Sequence, residues 1–585
     1  MVNLSWKRIW PLALACAAFL FAFAMQLAAV LKATHGQQLF VLDDPYIHAS
    51  IAKNLLIYHT FGISPNAFAS ASSSILWPFL LAALFSVFGL HLWIILAFNV
   101  VLSLVALFLC HGVWRCLAPA APGIFEAASL LAIVIAGSLV SLTFVGLEHI
   151  LQFITVLSVL SAAVVVARIP ERGKIPRGLL FWLYLSGLAA VATRFEGAFA
   201  VCLVCCFLFL QKRRSLAVLL GIVSALPILF FGWYSIRHGA DFFPNSVLLK
   251  HGRGRLDGVR NLFGDYSRQY GLLGIFLLTC AELALCRRFL KQAIRTPGVQ
   301  LALMVVLLTL VHCQFAAVGV ACRYDAYLVE LCLLSCALLA AELLAEHARA
   351  APGTQVVGLV GRLAVPAWLL LVTICIAARI HSTQSVIRKG VEDIYEQQLQ
   401  TARFLAEYYP HGTVAVNDIG AVSYLRSAPT FDLFGLGSNE VARLKIKGSW
   451  DTASIAAEVQ KSGAGVAVVY DKWFTGKQHL PSSWVQVAKW KLPDTPPESV
   501  IWGMRVPSNE VVLGDITVSF YATQPAEVGR LVADLRSFSP CVPPQVSQLV
   551  QGETLHGAGV CALDLPALDK PVLKADSARN FSIRK

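Results

Sequence analysis

Apolar residues in the first two thirds of the chain run in long stretches and do not alternate with polar residues. A helix needs about 20 apolar residues to cross roughly 30 Å of hydrocarbon, and stretches of that order follow one another as far as residue 380. The pattern predicts membrane spans at 9–31, 76–113, 124–142, 149–168, 178–192, 197–210, 215–234, 270–286, 299–320, 325–345 and 362–380. This set makes about eleven helices, and about thirteen if residues 76–168 hold five spans instead of three. The stretch 76–113 is either one broken span or a hairpin bent at Phe88–Gly89.

The pattern changes at about residue 381, where the apolar runs shorten and charged and turn residues return. Strand-like TVAVND, GVAVVYD and SWVQVAKW alternate with helix-like FLAEYY and AVSYLR, which predicts a water-soluble mixed α/β domain. The predicted organisation is a polytopic α-helical membrane domain over 1–380 and a soluble domain over 381–585. Residues 32–75 are predicted to form a first outer loop that carries a helix along the membrane surface.

Composition and charge agree with a bilayer as the solvent, since 57% of residues are apolar, 14% are charged and the mean hydropathy is +0.68. The net charge of +13 could indicate a nucleic-acid partner. However, the basic residues form short clusters between spans, and such loops stay in the cytoplasm. We therefore expect no nucleic-acid partner. The clusters predict a multi-pass protein of the inner (plasma) membrane, with a cytoplasmic N-terminus and a periplasmic or extracellular C-terminal domain.

Most cysteines lie inside apolar stretches without metal-like spacing, as is typical of small buried apolar residues. Cys541 and Cys561 stand apart in the C-terminal domain, which the predicted topology places outside the cytoplasm. A disulfide between them is possible there, and two free buried thiols are the alternative.

The strongest local feature is the segment LDDPYIHASIAKNLL, in which Asp43 and Asp44 precede Pro45. Aspartate followed by proline is a favoured helix start, which accounts for one of the two acids. Adjacent carboxylates also form a ready site for a general base or a divalent cation. Both interpretations remain open on spacing alone.

Further charged and polar residues fall on the same predicted outer face. They are Glu148 and His149 in GLEH, Arg194 and Glu196 in TRFEG, Arg237, Asp241, Asn245 and Lys250 in one long loop, and Arg323 and Asp325 in CRYDAY. Each one alone is typical of an interfacial residue. Together, acids and bases at the ends of spans indicate a pocket. Transfer of a sugar from a polyprenyl phosphate to a hydroxyl fits this mixture, because a carboxylate would accept the proton and cations would stabilise the departing phosphate.

In the C-terminal domain, Asn417 and Asp418 end a predicted strand just before a helix, where ligands often bind in α/β sheets. A helix cap is the alternative role. No GxGxxG or GxxxxGK phosphate loop is present in the sequence.

The sequence resembles the multi-spanning GT-C glycosyltransferases, and within them it is similar to the mycobacterial terminal arabinofuranosyltransferase group. The resemblance covers about residues 40–440, where short motifs keep the order of the group. These motifs are LDDPYIHASIAKNLL, SASSSILWPFLLA, GLEH, TRFEG, FFPNSVLLK, CRYDAY, VNDIGAVSYL and FDLFGLGS. Pro45 and His48 depart from the residues that are common in the group, which leaves the sugar and the acceptor open.

The resemblance implies an inverting transfer from a polyprenyl-phosphate sugar, with a pentofuranose such as arabinofuranose as one candidate, to a cell-envelope glycan or glycolipid. It implies that Asp43 is the base and Asp44 its orienting or metal-binding neighbour, or the reverse. A divalent cation (Ca, Mg or Mn) bound by Asp43 and Asp44 is a possible cofactor. Binding of the donor's phosphate or sugar is assigned to Glu148, Arg194, Glu196, Arg237, Asn245, Lys250, Arg323 and Tyr324, and an acceptor-binding or accessory role to His48, His149 and Asp418.

Two other functions remain. A transporter or flippase for lipid-linked glycans would carry ionisable residues near the middle of the membrane and paired broken helices. A non-catalytic glycan-assembly protein of the same fold would not depend on the acidic pair.

Overall fold

The protein is described here by a computed structural model. The structure describes residues 6–249, 262–263, 271–289, 293–319, 323–349, 386–493, 499–501, 504–506 and 514–559. The predicted span 362–380, the predicted domain boundary at 380–381, Lys250 and Cys561 lie outside the described residues.

Long apolar helices make up the first part of the chain. Their bounds are α1 Trp6–Ala33, α2 Asp44–Tyr58, α3 Leu76–Phe88, α4 Leu92–Leu117, α5 Gly123–Ile135, α6 Leu139–Val145, α7 His149–Arg168, α8 Arg177–Thr193, α9 Gly197–Leu210, α10 Arg214–Arg237, α11 Asn245–Leu248, α12 Leu272–Phe289, α13 Pro297–Phe315 and α14 Ala326–Arg349. Within the described ranges, seven helical segments are long and apolar enough to cross a membrane. The chain is a multi-pass membrane protein with a mostly helical fold, as predicted.

The helix pattern differs in detail from the predicted spans. The stretch 76–113 is two helices that meet at the predicted Phe88–Gly89 bend, because Gly89 adopts φ +91° between α3 and α4 and ends the first of them. The predicted span 124–142 is likewise interrupted between α5 and α6, where Ser138 has φ +65°. Left-handed backbone of this kind cannot continue a right-handed helix.

Helix α2 packs between α3 of the bundle and a helix of the C-terminal domain. Ten consecutive residues of α2, from Pro45 to Asn54, are buried. This burial differs from the sequence prediction, in which α2 lies along the membrane surface. In the structure, α2 is enclosed by protein.

The C-terminal part is a mixed α/β domain. Its helices are α15 Leu399–Tyr408, α16 Gly420–Leu425, α17 Asn439–Ile446, α18 Thr452–Ser462 and α19 Val528–Phe538, with a π-helical turn at Ile394–Gln398 before α15. Its strands are β1 Val414–Val416, β2 Thr430–Asp432, β3 Val466–Val469, β4 Val485–Lys491, β5 Ser499–Ile501, β6 Met504–Val506, β7 Thr517–Ala522, β8 Ser547–Val550 and β9 Glu553–Leu555. We call this part the sheet domain.

Seven of these strands form one sheet in the order β2-β1-β3-β7-β4-β8-β9. Strand β1 runs parallel to β2 and β3, whereas β7 is antiparallel to both β3 and β4. Phe404 of α15 packs against Trp490, Phe520 and Phe538, so α15 and α19 cover one face. Because β1 is followed directly by α16, the end of β1 brings that helix to the bundle.

Candidate functional site

The two acids of the LDDPY segment have different partners. Asp43 is at the N-cap position of α2, but its side chain does not cap α2. Its Oδ1 accepts a hydrogen bond from the backbone N–H of Ala421 at 2.8 Å, and its Oδ2 accepts one from the N–H of Gly420. Burial and the neighbouring Asp418 raise the pKa of Asp43 well above its ordinary value. Asp43 therefore joins the outer loop to the sheet domain.

Asp44 is the more accessible of the pair. Its side chain is 36% exposed, and its Oδ2 lies 3.0 Å from Nη1 of Arg323. Neighbouring residues on a helix are rotated by about 100° from one another, so two adjacent carboxylates at a helix start face different surroundings. Asp44 faces the bundle's charged residues, whereas Asp43 faces the sheet domain.

Arg323 and Tyr324 lie just before α14. The Arg323 guanidinium stacks on the Tyr324 ring at 4.8 Å from its centroid and donates a hydrogen bond to the Tyr324 hydroxyl at 3.1 Å. Burial alone would lower the pKa of Arg323, but the pairing with Asp44 raises it. Arg323 is therefore a fixed positive charge beside Asp44.

A second arginine is held by two carboxylates. Arg194 lies between α8 and α9, and its Nη1 is 2.6 Å from Oε1 of Glu148 and its Nη2 2.9 Å from Oε1 of Glu196. Ser73 donates a further hydrogen bond to Glu148 at 3.2 Å. Burial alone would raise the pKa of Glu196, but the ion pair with Arg194 lowers it to about 2. Glu196 is therefore ionised at any physiological pH.

Tyr324 connects the two groups, because the Arg194 guanidinium is also 5.6 Å from the centroid of its ring. We call Asp44, Glu148, Arg194, Glu196, Arg323 and Tyr324 the arginine cluster. Two histidines border it. The ring of His149 lies 6.2 Å from that of Tyr324, and Nε2 of His48 is 4.0 Å from Oε2 of Glu148. Burial lowers the pKa of His48, which favours its neutral form.

The side chains of three other predicted residues contact residues outside this cluster. Arg237 is exposed and stacks on Trp233. Asn245 is buried and donates hydrogen bonds to the Leu436 carbonyl and to Asn439 Oδ1, so it joins its loop to the sheet domain. Asp418 accepts hydrogen bonds from Tyr470 and Gln398 on the sheet-domain side of Asp43.

Cys541 is disulfide-bonded. Its pairing with Cys561 stays a prediction, because that residue lies outside the described part of the chain.

Sequence reasoning did not single out Lys53 or Gly420. Lys53 is only 1% exposed and donates hydrogen bonds to three carbonyls of the segment 423–426. A lone lysine inside the otherwise uncharged SIAKNLL segment was the available signal, since a buried ammonium needs partners for all its donors.

A divalent cation bound jointly by Asp43 and Asp44 does not fit this geometry. The Asp43 oxygens accept backbone N–H bonds, and Asp44 pairs with Arg323. Among the described residues, no group of three or more His, Cys, Asp or Glu side chains could hold a metal ion.

Known proteins resemble the chain mainly in structure. The family model of a domain of unknown function (DUF8728) matches residues 389–521, which lie in the sheet domain. No curated protein sequence matches the chain. The apo oligosaccharyltransferase of Archaeoglobus fulgidus is 14% identical, with a TM-score of 0.50 over 84% of this chain and 74% of that one. That enzyme has a GT-C architecture. The fold of this chain is GT-C.

A second GT-C structure is ArnT from Cupriavidus metallidurans bound to undecaprenyl phosphate. It is 13% identical, with a TM-score of 0.49 over 87% of this chain and 98% of that one. The GT-C fold confirms the predicted fold class of a helical membrane part and a C-terminal α/β domain. It leaves the similarity to the arabinofuranosyltransferase group as a prediction.

Proposed function

We propose that this chain is an inverting glycosyltransferase that uses a polyprenyl-phosphate sugar and acts on the non-cytoplasmic face of the plasma membrane. The acceptor is a hydroxyl of a cell-envelope glycan or glycolipid. The observation that carries the proposal is the accessible Asp44, 3.0 Å from Arg323, within a cluster of buried ion pairs on a GT-C fold. The resemblance of the motifs to the arabinofuranosyltransferase group supports a pentofuranose as the sugar.

Asp44 is the general base in this proposal. Its carboxylate accepts the proton of the acceptor hydroxyl while that oxygen forms a bond to the anomeric carbon of the donor. The bond from the anomeric carbon to the phosphate oxygen breaks, and the polyprenyl phosphate leaves with the electron pair. Asp43 was the first choice for this role from sequence, but its two oxygens are already bonded to Gly420 and Ala421. Asp44 is the more exposed of the two carboxylates, as suits a general base that must reach the acceptor.

Arg323 and Arg194 stabilise the negative charge that develops on the leaving phosphate. Guanidinium groups bind phosphate oxygens through two parallel N–H donors. Arg194 and Arg323 each have N–H groups beyond those in their ion pairs. Their shared contact with Tyr324 fixes the direction in which the two groups face. Preorganised cations of this kind do not have to reorient when the charge develops.

An apolar groove supports a lipid-linked donor. The groove has a cavity volume of about 720 Å³ and lies among α8, α9 and α10. Val191 and Ala198 line one end, within three residues of Arg194 and Glu196 in the sequence, and Leu210 and Ala217 line the other. A prenyl chain in this groove would leave its phosphate beside Arg194.

The test is the glycan and lipid content of cells that lack the protein. We expect one polyprenyl-phosphate sugar to accumulate and one glycan residue to disappear, as measured by mass spectrometry. The wild-type protein should restore both, and Asp44→Asn should restore less than about 1% of the transfer, because a general base contributes roughly 10²–10⁴ in rate.

Glu458→Gln is the matched control. Glu458 is a carboxylate that pairs with Lys461 on the surface of α18. It should restore transfer fully. Full restoration by Asp44→Asn would exclude the proposed base. Accumulation of the lipid-linked sugar on the cytoplasmic side would instead indicate a flippase.

A further inference from the structure

Helix α16 of the sheet domain is held at both ends by side chains of the outer loop. Asp43 accepts hydrogen bonds from the N–H groups of Gly420 and Ala421 at the start of α16. Lys53 donates hydrogen bonds to the carbonyls of Ser423, Tyr424 and Arg426 at its end, at 2.9, 2.7 and 2.7 Å. We call this arrangement the α2–α16 clamp.

The clamp satisfies groups that a short helix cannot satisfy itself. The first N–H groups and the last carbonyls of a helix have no partner within it. The cap residue of α16, Ile419, has no side chain that could supply one. Lys53 has three donors and reaches three carbonyls, which accounts for its nearly complete burial. The two helices run in the same direction, because Asp43 at the start of α2 meets the start of α16, and Lys53, further along α2, meets the end of α16.

Helices α2 and α16 also approach each other closely between the two ends of the clamp. The rings of Tyr46 and Tyr424 meet edge to face at 6.4 Å. A Cβ at position 420 would overlap the backbone carbonyl oxygen of Asp43, so only glycine allows the chains to approach this far. The clamp thus fixes the backbone of residue 43 and, through it, that of residue 44.

We propose that Asp43 and Lys53 are positioning residues, which hold α2 on the sheet domain so that Asp44 stays directed towards Arg323. The inference rests on the proposed function. In this arrangement one acid of the pair anchors the sheet domain and the other performs the chemistry. The sheet domain then contributes to catalysis without touching the reacting atoms.

The test uses the full-length protein in nanodiscs with its lipid-linked donor. Lys53→Met should lower kcat at least tenfold while changing the KM for the donor by less than threefold, because Lys53 touches neither the acceptor nor the phosphate. Amide exchange at Gly420 and Ala421 should become faster at the same time. Lys461→Met, on the exposed surface of α18, is the control and should match the wild type in kcat, KM and exchange.

A second variant covers the case in which Lys53→Met does not fold. Asp43→Asn keeps the shape and one carbonyl acceptor, so its kcat should lie between those of Asp43→Ala and the wild type. If Lys53→Met or Asp43→Asn keeps the wild-type kcat although amide exchange shows the clamp open, the positioning role is excluded. If the wild type itself transfers no sugar, the proposed function fails and the inference fails with it.

Discussion

The formal charges of the described residues in the arginine cluster sum to a negative value, which disfavours the binding of a phosphate. Three carboxylates, Asp44, Glu148 and Glu196, face two guanidinium groups, Arg194 and Arg323, which leaves a formal charge of −1 among the described members. An approaching donor phosphate would be repelled unless another cation takes part. Lys250, which follows α11 in the sequence, is the cation that the sequence pattern assigns to the same site.

Replacement of Lys250 by methionine should therefore raise the KM for the donor at least tenfold, because one positive charge is lost where the phosphate binds. Lys250→Arg keeps the charge and should stay within about threefold of the wild type. Steady-state kinetics with the polyprenyl-phosphate donor measure both. An unchanged KM in Lys250→Met together with complete inhibition by a chelator would assign the missing charge to a divalent cation instead.

Sequence patterns identified the residues of the cluster better than their roles. Arg194 with Glu196, and Arg323 with Tyr324, were recognisable because charged residues at span ends are costly unless they meet partners. The different partners of Asp43 and Asp44 were not recognisable. The local pattern predicted a cap for α2, whereas the carboxylate of Asp43 bonds to residues more than 370 positions away. A local sequence pattern does not encode a contact between residues so far apart in the chain.

At the scale of elements, the approach of α2 to α16 depends on Gly420. Gly420→Ala should lower the free energy of unfolding by about 1–3 kcal/mol, because the added methyl overlaps a backbone atom that cannot move aside easily. Thermal unfolding in detergent measures the loss, and kcat should fall in parallel if the clamp positions Asp44.

Gly412→Ala is the matched control for this experiment. Gly412 precedes β1 in the same domain, and a Cβ there would meet nothing within 4 Å. Its unfolding and its kcat should equal those of the wild type. Equal behaviour of the two alanine variants would mean that α2 and α16 can separate slightly without cost.

Hydrophobic periodicity predicted which elements exist more reliably than where they end. Long apolar runs and the short apolar run in GVAVVYD matched α7 and β3, since burial on a bundle or in a sheet follows directly from such patterns. The bend at Phe88–Gly89 was one of the two forms predicted for 76–113, whereas the burial of α2 depends on packing against other elements. The sequence of an apolar stretch does not contain that information.

The whole molecule brings together a membrane bundle, an outer loop and a sheet domain, and several hydrogen bonds join the loop to the sheet domain. Ser64 of the loop exchanges two hydrogen bonds with Thr430, at 3.3 and 3.1 Å, and Asn439 donates one to the Phe68 carbonyl. These contacts, like the clamp, join segments that are far apart in the chain. Sequence analysis predicted both domains but not the way they meet.

The groove among α8, α9 and α10 gives a test of how the donor enters. Gly221 lines it, and a side chain there would project into open space with only Cys205 nearby. Gly221→Leu should fill part of the groove without a clash and should raise the KM for a long-chain polyprenyl donor at least tenfold. Donors with a short prenyl chain, which need less of the groove, should be affected far less.

Ile222→Phe provides the control for bulk on the same helix, because Ile222 is 58% exposed and is not among the groove residues. Kinetics with donors of graded chain length should show a dependence on length for Gly221→Leu and none for Ile222→Phe. Long and short donors affected equally by Gly221→Leu would place the prenyl chain elsewhere. Dependence on chain length would connect the lipid in the membrane, through Arg194, to the reaction at Asp44.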